Sequence, residues 1–181
     1  MNKVYVFFAD GFEEIEGLTV VDMLRRVHVE TVMVSMNDTK TVNGAHGIVI
    51  QAEGVFGDYN YEDGVMVVLP GGMPGTNHLM AHEGLKKLLF TYNENKKYLA
   101  AICAAPSVLG MNGLLEGRHA TCYPGFEEKL LGATAMPDAV VMDGNIITSR
   151  GMGTAISFGA ALVSVLVSEE TAEDLLKAIQ Y

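Results

Sequence analysis

Short apolar runs recur along this chain, each closed by a polar or glycine-rich junction and followed by apolar positions at helical spacing. Val4 to Ala9 is a continuous apolar run that predicts a buried strand; after Asp10-Gly11-Phe12, Ile15, Leu18, Val21 and Leu24 mark one face of a helix. Glu30 to Met36 predicts a second strand, and Thr41 to Ile50, with Asn43-Gly44 inside it, a small inserted hairpin. Val65 to Leu69 is a third strong strand, closed by Pro70-Gly71-Gly72, and Gly84 to Asn95 carries Leu85, Leu88, Leu89 and Tyr92 at helical spacing. Tyr98 to Ile102 reads as a buried strand, and Ala104 to Leu109 as a helix start with Pro106 in its first turn, where a missing N–H costs nothing. His119 to Tyr123 is a short strand and Phe126 to Leu131 a short helix; Ala139 to Met142 and Asn145 to Thr148 are two strands joined by Asp143-Gly144. Gly153 to Val167 is too long and apolar for a strand and predicts a buried helix, with a last helix over Ser168 to Ile179.

Near-continuous apolar strands alternating with helices predict an α/β protein: a mostly parallel sheet covered on both faces, a three-layer sandwich with a small hairpin insertion. No linker, repeat or low-complexity segment interrupts residues 1–181, so one domain is expected. Composition agrees, at 181 residues with 49% hydrophobic and 19% charged. The net charge of −10 argues against nucleic acid or an anionic membrane as partner, since either requires a concentrated basic patch. No apolar run approaches the roughly 20 residues of a membrane span, and Val4 to Phe8 is too short for a signal-peptide core, so a cytoplasmic protein is expected. Two cysteines make no disulfide framework, and the five histidines show no zinc spacing, so neither a metal nor a cofactor is expected.

Ligands of open parallel sheets bind outside the carboxyl ends of the strands, and three unusual junctions fall there: Asp10 to Glu16, Pro70-Gly71-Gly72, and Cys103. A cysteine between strand and helix faces the free N–H groups and dipole of the helix start, which favour a nucleophilic, oxidisable thiolate. By itself such a residue is as readily a small buried hydrophobe. Gly71 and Gly72 bare the backbone, so that N–H groups there, with that of Ala104, can form an oxyanion hole beside the sulfur; a plain tight turn needs the same glycines. Most of the charge of Glu13, Glu14 and Glu16 suits a helix start, but Glu16 lies off the Ile15, Leu18, Val21 stripe and can lean toward the strand ends. A carboxyl there raises the thiol pKa if ionised and stabilises the thiolate if protonated and donating.

Asp10-Gly11-Phe12-Glu13-Glu14-Ile15-Glu16, Leu69-Pro70-Gly71-Gly72, Ala101-Ile102-Cys103-Ala104-Ala105-Pro106 and Thr148-Ser149-Arg150-Gly151 resemble, in order, the signatures of the ThiJ/PfpI superfamily, in its DJ-one-like branch, often called protein deglycases. The resemblance spans nearly the whole chain. It implies a flavodoxin-like sandwich related to the class I glutamine amidotransferases, a homodimer, and a nucleophile elbow carrying Cys103 as reactive thiol. It further implies Glu16 as its protonated hydrogen-bond partner, Gly72 and Ala104 as backbone donors, and Gly71, Tyr123 and His46 lining the site, His46 by reaching toward the partner subunit. Members are described as glutathione-independent glyoxalases acting on methylglyoxal, as deglycases acting on glycated adducts, and as chaperones, and their cysteine oxidises to a sulfinate.

Departures from the pattern narrow these expectations. The protease-like branch has histidine directly after the cysteine, where this chain has Ala104, and no His-x-Glu of the amidotransferase kind follows Cys103. In Thr121-Cys122-Tyr123-Pro124, tyrosine stands where the branch has a histidine near the thiol; a phenol with an ordinary pKa near 10 donates a proton but is a poor base. Cys122 and Tyr123, adjacent on a strand, should face opposite ways, leaving Cys122 a buried thiol; Arg150 can pair with an anion or tie down the final helix, and the tie is expected. Two readings follow: an enzyme converting a small aldehyde or glycated substrate through the Cys103 thiolate, or a redox-sensing, chaperone-like homodimer that responds to Cys103 oxidation.

Overall fold

The computed structural model describes residues 2–181. The chain runs β1 (Lys3–Phe8), α1 (Glu14–Arg26), β2 (Glu30–Ser35), the hairpin β3 (Thr41–Asn43) and β4 (Val49–Gln51), β5 (Gly54–Val55), β6 (Gly64–Leu69), α2 (Gly75–Ala81) and α3 (Glu83–Glu94). It continues with β7 (Tyr98–Ile102), α4 (Pro106–Met111), β8 (His119–Ala120), β9 (Thr134–Ala135), β10 (Val140–Asp143), β11 (Ile146–Ser149), α5 (Ala155–Leu166) and α6 (Glu169–Ala178). Seven strands form one sheet in the order β10-β11-β7-β6-β1-β2-β5, parallel except for β10, which pairs antiparallel with β11. Alternate residues of the central strands enter separate cores. Val4, Val6 and Phe8 pack with Met66, Val68, Ile102 and residues of α1, α5 and α6, while Tyr5, Phe7 and Ala9 pack with Val67, Leu69, Leu99 and residues of α3 and α4. Each fully buried Val, Leu or Phe contributes about 1.5–3 kcal/mol, so two filled faces account for the near-continuous apolar strands. This is the expected flavodoxin-like three-layer α/β architecture.

Local chemistry sets the ends of the elements. Pro106 occupies the first turn of α4, and Ser168 caps α6 by accepting the Thr171 N–H at 3.1 Å. Gly144, at φ +61°, turns β10 into β11. The 119–123 strand is shorter than expected: only His119 and Ala120 pair, with β9, and the Tyr123 N–H turns to the Cys103 carbonyl at 2.8 Å. The helix expected over 126–131 is a single 3₁₀ turn at Glu127–Lys129, and α2 and β5, too short to show a period, were not foreseen. The expected α1 stripe also needs correction. Ile15 is 48% exposed while Glu14 and Glu16 are buried, because the first turn of α1 packs on the strand ends and the hairpin rather than on the core. Among the described residues no helix is long and apolar enough to cross a membrane.

Candidate active site

The carboxyl ends of β1, β6, β7 and β11 meet at Cys103. The Ile102–Ser149 register ends both strands level, and the Cys103 N–H donates to the Ser149 carbonyl at 2.9 Å. Cys103 itself has φ +66°, the left-handed region, which costs a non-glycine residue about 1–3 kcal/mol. That strain, held by the bonds at its N–H and carbonyl, turns the chain sharply into Ala104-Ala105-Pro106 and leaves the side chain half-buried above the sheet. The Gly72 and Ala104 N–H groups face the sulfur.

Close approach of backbone and side chains requires glycine at three positions around this thiol. A Cβ on Gly71 would lie 2.6 Å from both Cys103 Cβ and Glu16 Oε2, so the missing side chain is the space in which thiol and carboxyl meet. Gly72, at φ +88°, would drive a Cβ into the backbone of Gly11, Phe12 and Glu13. Gly17 lets α1 approach the Phe8 ring and Pro70, which carries Glu16 in under the loop after β6. Glu16 is 1% exposed; its Oε2 accepts the Gly71 N–H at 2.9 Å, the Met152 N–H also faces the carboxyl, and the thiol is within hydrogen-bonding reach.

Burial pushes Glu16 up to about 7 against the lowering effects of Cys103, Gly71 and Met152, and Glu13 adds to the rise. Burial likewise pushes the Cys103 thiol up, to about 12, helped by the charge and hydrogen bond of the Glu16 carboxylate and opposed by the Gly72 and Ala104 N–H groups. The expected lowering by a helix dipole does not prevail, since α4 is only six residues long and desolvation is larger. Two of the causes acting on the thiol depend on an ionised Glu16. Once the carboxyl is protonated they vanish, its O–H can donate, and the two backbone N–H groups favour the thiolate. Between about pH 7 and pH 12 the two groups hold one proton and one negative charge between them.

The remaining expected residues separate into near and far. Tyr123 lies at the rim, 51% exposed, its ring beside Gly151; a Cβ on Gly151 would sit 3.3 Å from that ring and 3.9 Å from Glu16 Oε1. His46 pairs instead with the start of α1: its Nδ1 lies 2.9 Å from Glu14 Oε2 and 3.4 Å from Glu13 Oε2, while its backbone N–H donates to Glu14 Oε1 at 2.7 Å. Among the described residues these three side chains are the group whose ligand atoms lie close enough together to hold a metal ion, and the same closeness favours the protonated imidazole beside two carboxylates. Glu14 is lowered because His46 and the His46 and Ile48 N–H groups together outweigh the larger effect of burial, and His46 is correspondingly raised, chiefly by its bond to Glu14. Cys122 is buried, its thiol pushed up to about 11 by burial and by Glu127, with Arg150 opposing. Arg150 donates to the Pro137 carbonyl at 2.9 Å, tying down the 136–139 loop rather than a helix. Met152 and Gly151 were missed as site residues: a backbone N–H and an absent side chain leave no mark of their role in a sequence.

A model of the DJ-1/PfpI family matches residues 2–165. DJ-1 homolog B of Arabidopsis thaliana is 38% identical over 176 residues, 96% of this chain but 40% of that protein. The chain therefore spans about two fifths of that relative's length, and similarly 45% of DJ-1 homolog A from the same plant. Glutathione-independent glyoxalase DJR-1.2 of Caenorhabditis elegans is 31% identical over 169 residues, 92% of this chain and 89% of that protein. Among solved structures, oxidized Toxoplasma gondii DJ-1 has a TM-score of 0.96 at 34% identity, covering 100% of this chain and 99% of that one.

Proposed function

The chain belongs to the DJ-1/PfpI family, and on that premise we propose that it is a cysteine-dependent enzyme converting α-oxoaldehydes such as methylglyoxal, or the early adducts they form, to 2-hydroxy acids. The observation that carries this reading is the Cys103–Glu16 pair: a thiol on a strained turn, backed by a buried carboxyl raised to about 7 and faced by two backbone donors. In the proposed reaction the Cys103 thiolate bonds to the aldehyde carbon, and the carbonyl oxygen, held by the Gly72 and Ala104 N–H groups, takes the Glu16 proton. The Glu16 carboxylate then removes the C1 hydrogen and returns a proton to C2, giving a thioester of the 2-hydroxy acid. Water hydrolyses that thioester, freeing product and thiolate. The aldehyde carbon is oxidised as its neighbouring ketone is reduced, so no external oxidant enters. A carboxyl poised near neutrality suits both directions of proton transfer, and no histidine is needed. The relative named a glutathione-independent glyoxalase supports the same reading. The test is release of D- or L-lactate from methylglyoxal by purified protein, lost in both Cys103→Ser and Glu16→Gln; no lactate from intact protein defeats it.

The donors that hold an oxyanion are equally suited to hold the oxygens of a Cys103 sulfinate, which favours a second reading as a redox-responsive cytoplasmic homodimer. Stoichiometric peroxide that oxidises Cys103 and changes the assembly state or melting temperature, in protein without turnover, selects it.

A further inference from the structure

The segments 123–124 and 150–154 line an open groove of about 280 Å³ whose accessible wall is carbon, and Gly151 connects it to the Glu16 carboxyl. Tyr123 and Met152 line it and are 51% and 52% exposed, two large apolar side chains left in solvent in one groove. Arg150 borders the groove as well, but its guanidinium donates to the Pro137 carbonyl. Gly151 lines the groove too, and its missing side chain leaves open the space between the Tyr123 ring and the Glu16 carboxyl. Met152 joins the two environments, its N–H facing Glu16 while its side chain stands at the rim.

We infer that this groove is the subsite for the substituent on the reacting carbonyl group, selecting α-oxoaldehydes with an aryl or branched alkyl group over methylglyoxal. The inference rests on the reading of Cys103 as nucleophile and names the substrate class for that centre. A molecule bonded to the sulfur, with its oxygen toward the Gly72 and Ala104 N–H groups and its C1 hydrogen toward Glu16, directs its other end past Gly151. A methyl group leaves most of the groove to water; a phenyl ring removes its own surface and those of Tyr123 and Met152 from water together. Apolar pockets discriminate about 10–200-fold per methylene, so a preference of about tenfold or more is expected for a ring.

The test has two arms. In the first, kcat/KM is measured for phenylglyoxal and methylglyoxal with the wild type, Gly151→Val and Met152→Ser. Gly151 has φ 165° and ψ −169°, extended backbone open to any residue, so valine there fills the groove without backbone strain. The wild type should prefer phenylglyoxal about tenfold or more, and both variants should lose most of that preference. In the second arm Cys103 alkylation is timed with N-phenylmaleimide and N-ethylmaleimide, each normalised to its rate with glutathione, and iodoacetamide reports basal thiol reactivity. An aryl preference that Gly151→Val abolishes supports the subsite independently of turnover. Turnover without aryl preference, in wild type equal to the variants, overturns the subsite and leaves the proposed function standing. Aryl-selective alkylation without 2-hydroxy acid formation overturns the function and leaves the subsite standing.

Discussion

Replacing Glu16 by glutamine should make the protein's stability less dependent on pH, in a direction and by an amount that the raised carboxyl fixes. A side chain with an ordinary pKa of 4.5 is held at about 7 in the folded chain, so the folded state binds its proton more tightly than the unfolded state does. Stability from this group is therefore fully present below pH 4.5 and is lost as pH rises through about 7. At 1.36 kcal/mol per tenfold change in proton binding, the loss between pH 5 and pH 8 is about 2.5 kcal/mol. Glu16→Gln keeps the shape and can still accept the Gly71 N–H but has no proton to lose. Urea unfolding of both proteins at pH 5 and pH 8, under reducing conditions, isolates the effect as a difference of differences in which other titrating groups cancel. The variant should gain about 2–3 kcal/mol on the wild type across that interval. A gain below about 1 kcal/mol, or one of opposite sign, means that Glu16 ionises as an ordinary surface carboxyl and refutes the proton-sharing account of the thiol.

Other consequences concern the thiol, its loop and the hairpin. Limiting iodoacetamide should label the half-buried Cys103 and spare Cys122, which is 4% exposed, and peptide mass spectrometry reads the ratio; equal labelling contradicts the site's special exposure. Gly72→Ala should destabilise by about 1–3 kcal/mol from its left-handed backbone alone, and further through collision with the Gly11–Glu13 backbone, a loss that thermal or urea unfolding measures. His46, raised by Glu14 and Glu13, contributes stability that is present below its ordinary 6.5 and is lost as pH rises through its folded pKa. His46→Ala should therefore narrow the stability difference between pH 5.5 and pH 8.5, and hydrogen exchange in β3 and β4 should report it; an unchanged difference excludes the ion pair.

Much of the architecture was legible because its cause is local. Val4 to Ala9, Val65 to Leu69 and Tyr98 to Ile102 are apolar on both sides since both faces of the sheet are covered, and a parallel sheet places its ligands at the strand ends. Periodicity gives way where distant neighbours override it. Ile15 fits the helical stripe but faces solvent, and Tyr123 leaves the strand pattern because its N–H is taken by Cys103, twenty residues earlier.

By itself the sequence determined the order of strands and helices, the position of a thiol between β7 and α4, and the family to which its motifs point. It did so because hydrophobic period, proline and glycine act over a few residues. Only the tertiary structure decided the ionisation of that thiol. The pKa values of Cys103 and Glu16 are set by burial and by donors from Gly71, Gly72, Ala104 and Met152, groups spread over three loops. The same holds for the union of Glu13, Glu14 and His46 and for the apolar groove at Gly151. Desolvation and close approach are properties of volume, and they exist only after distant segments have packed together.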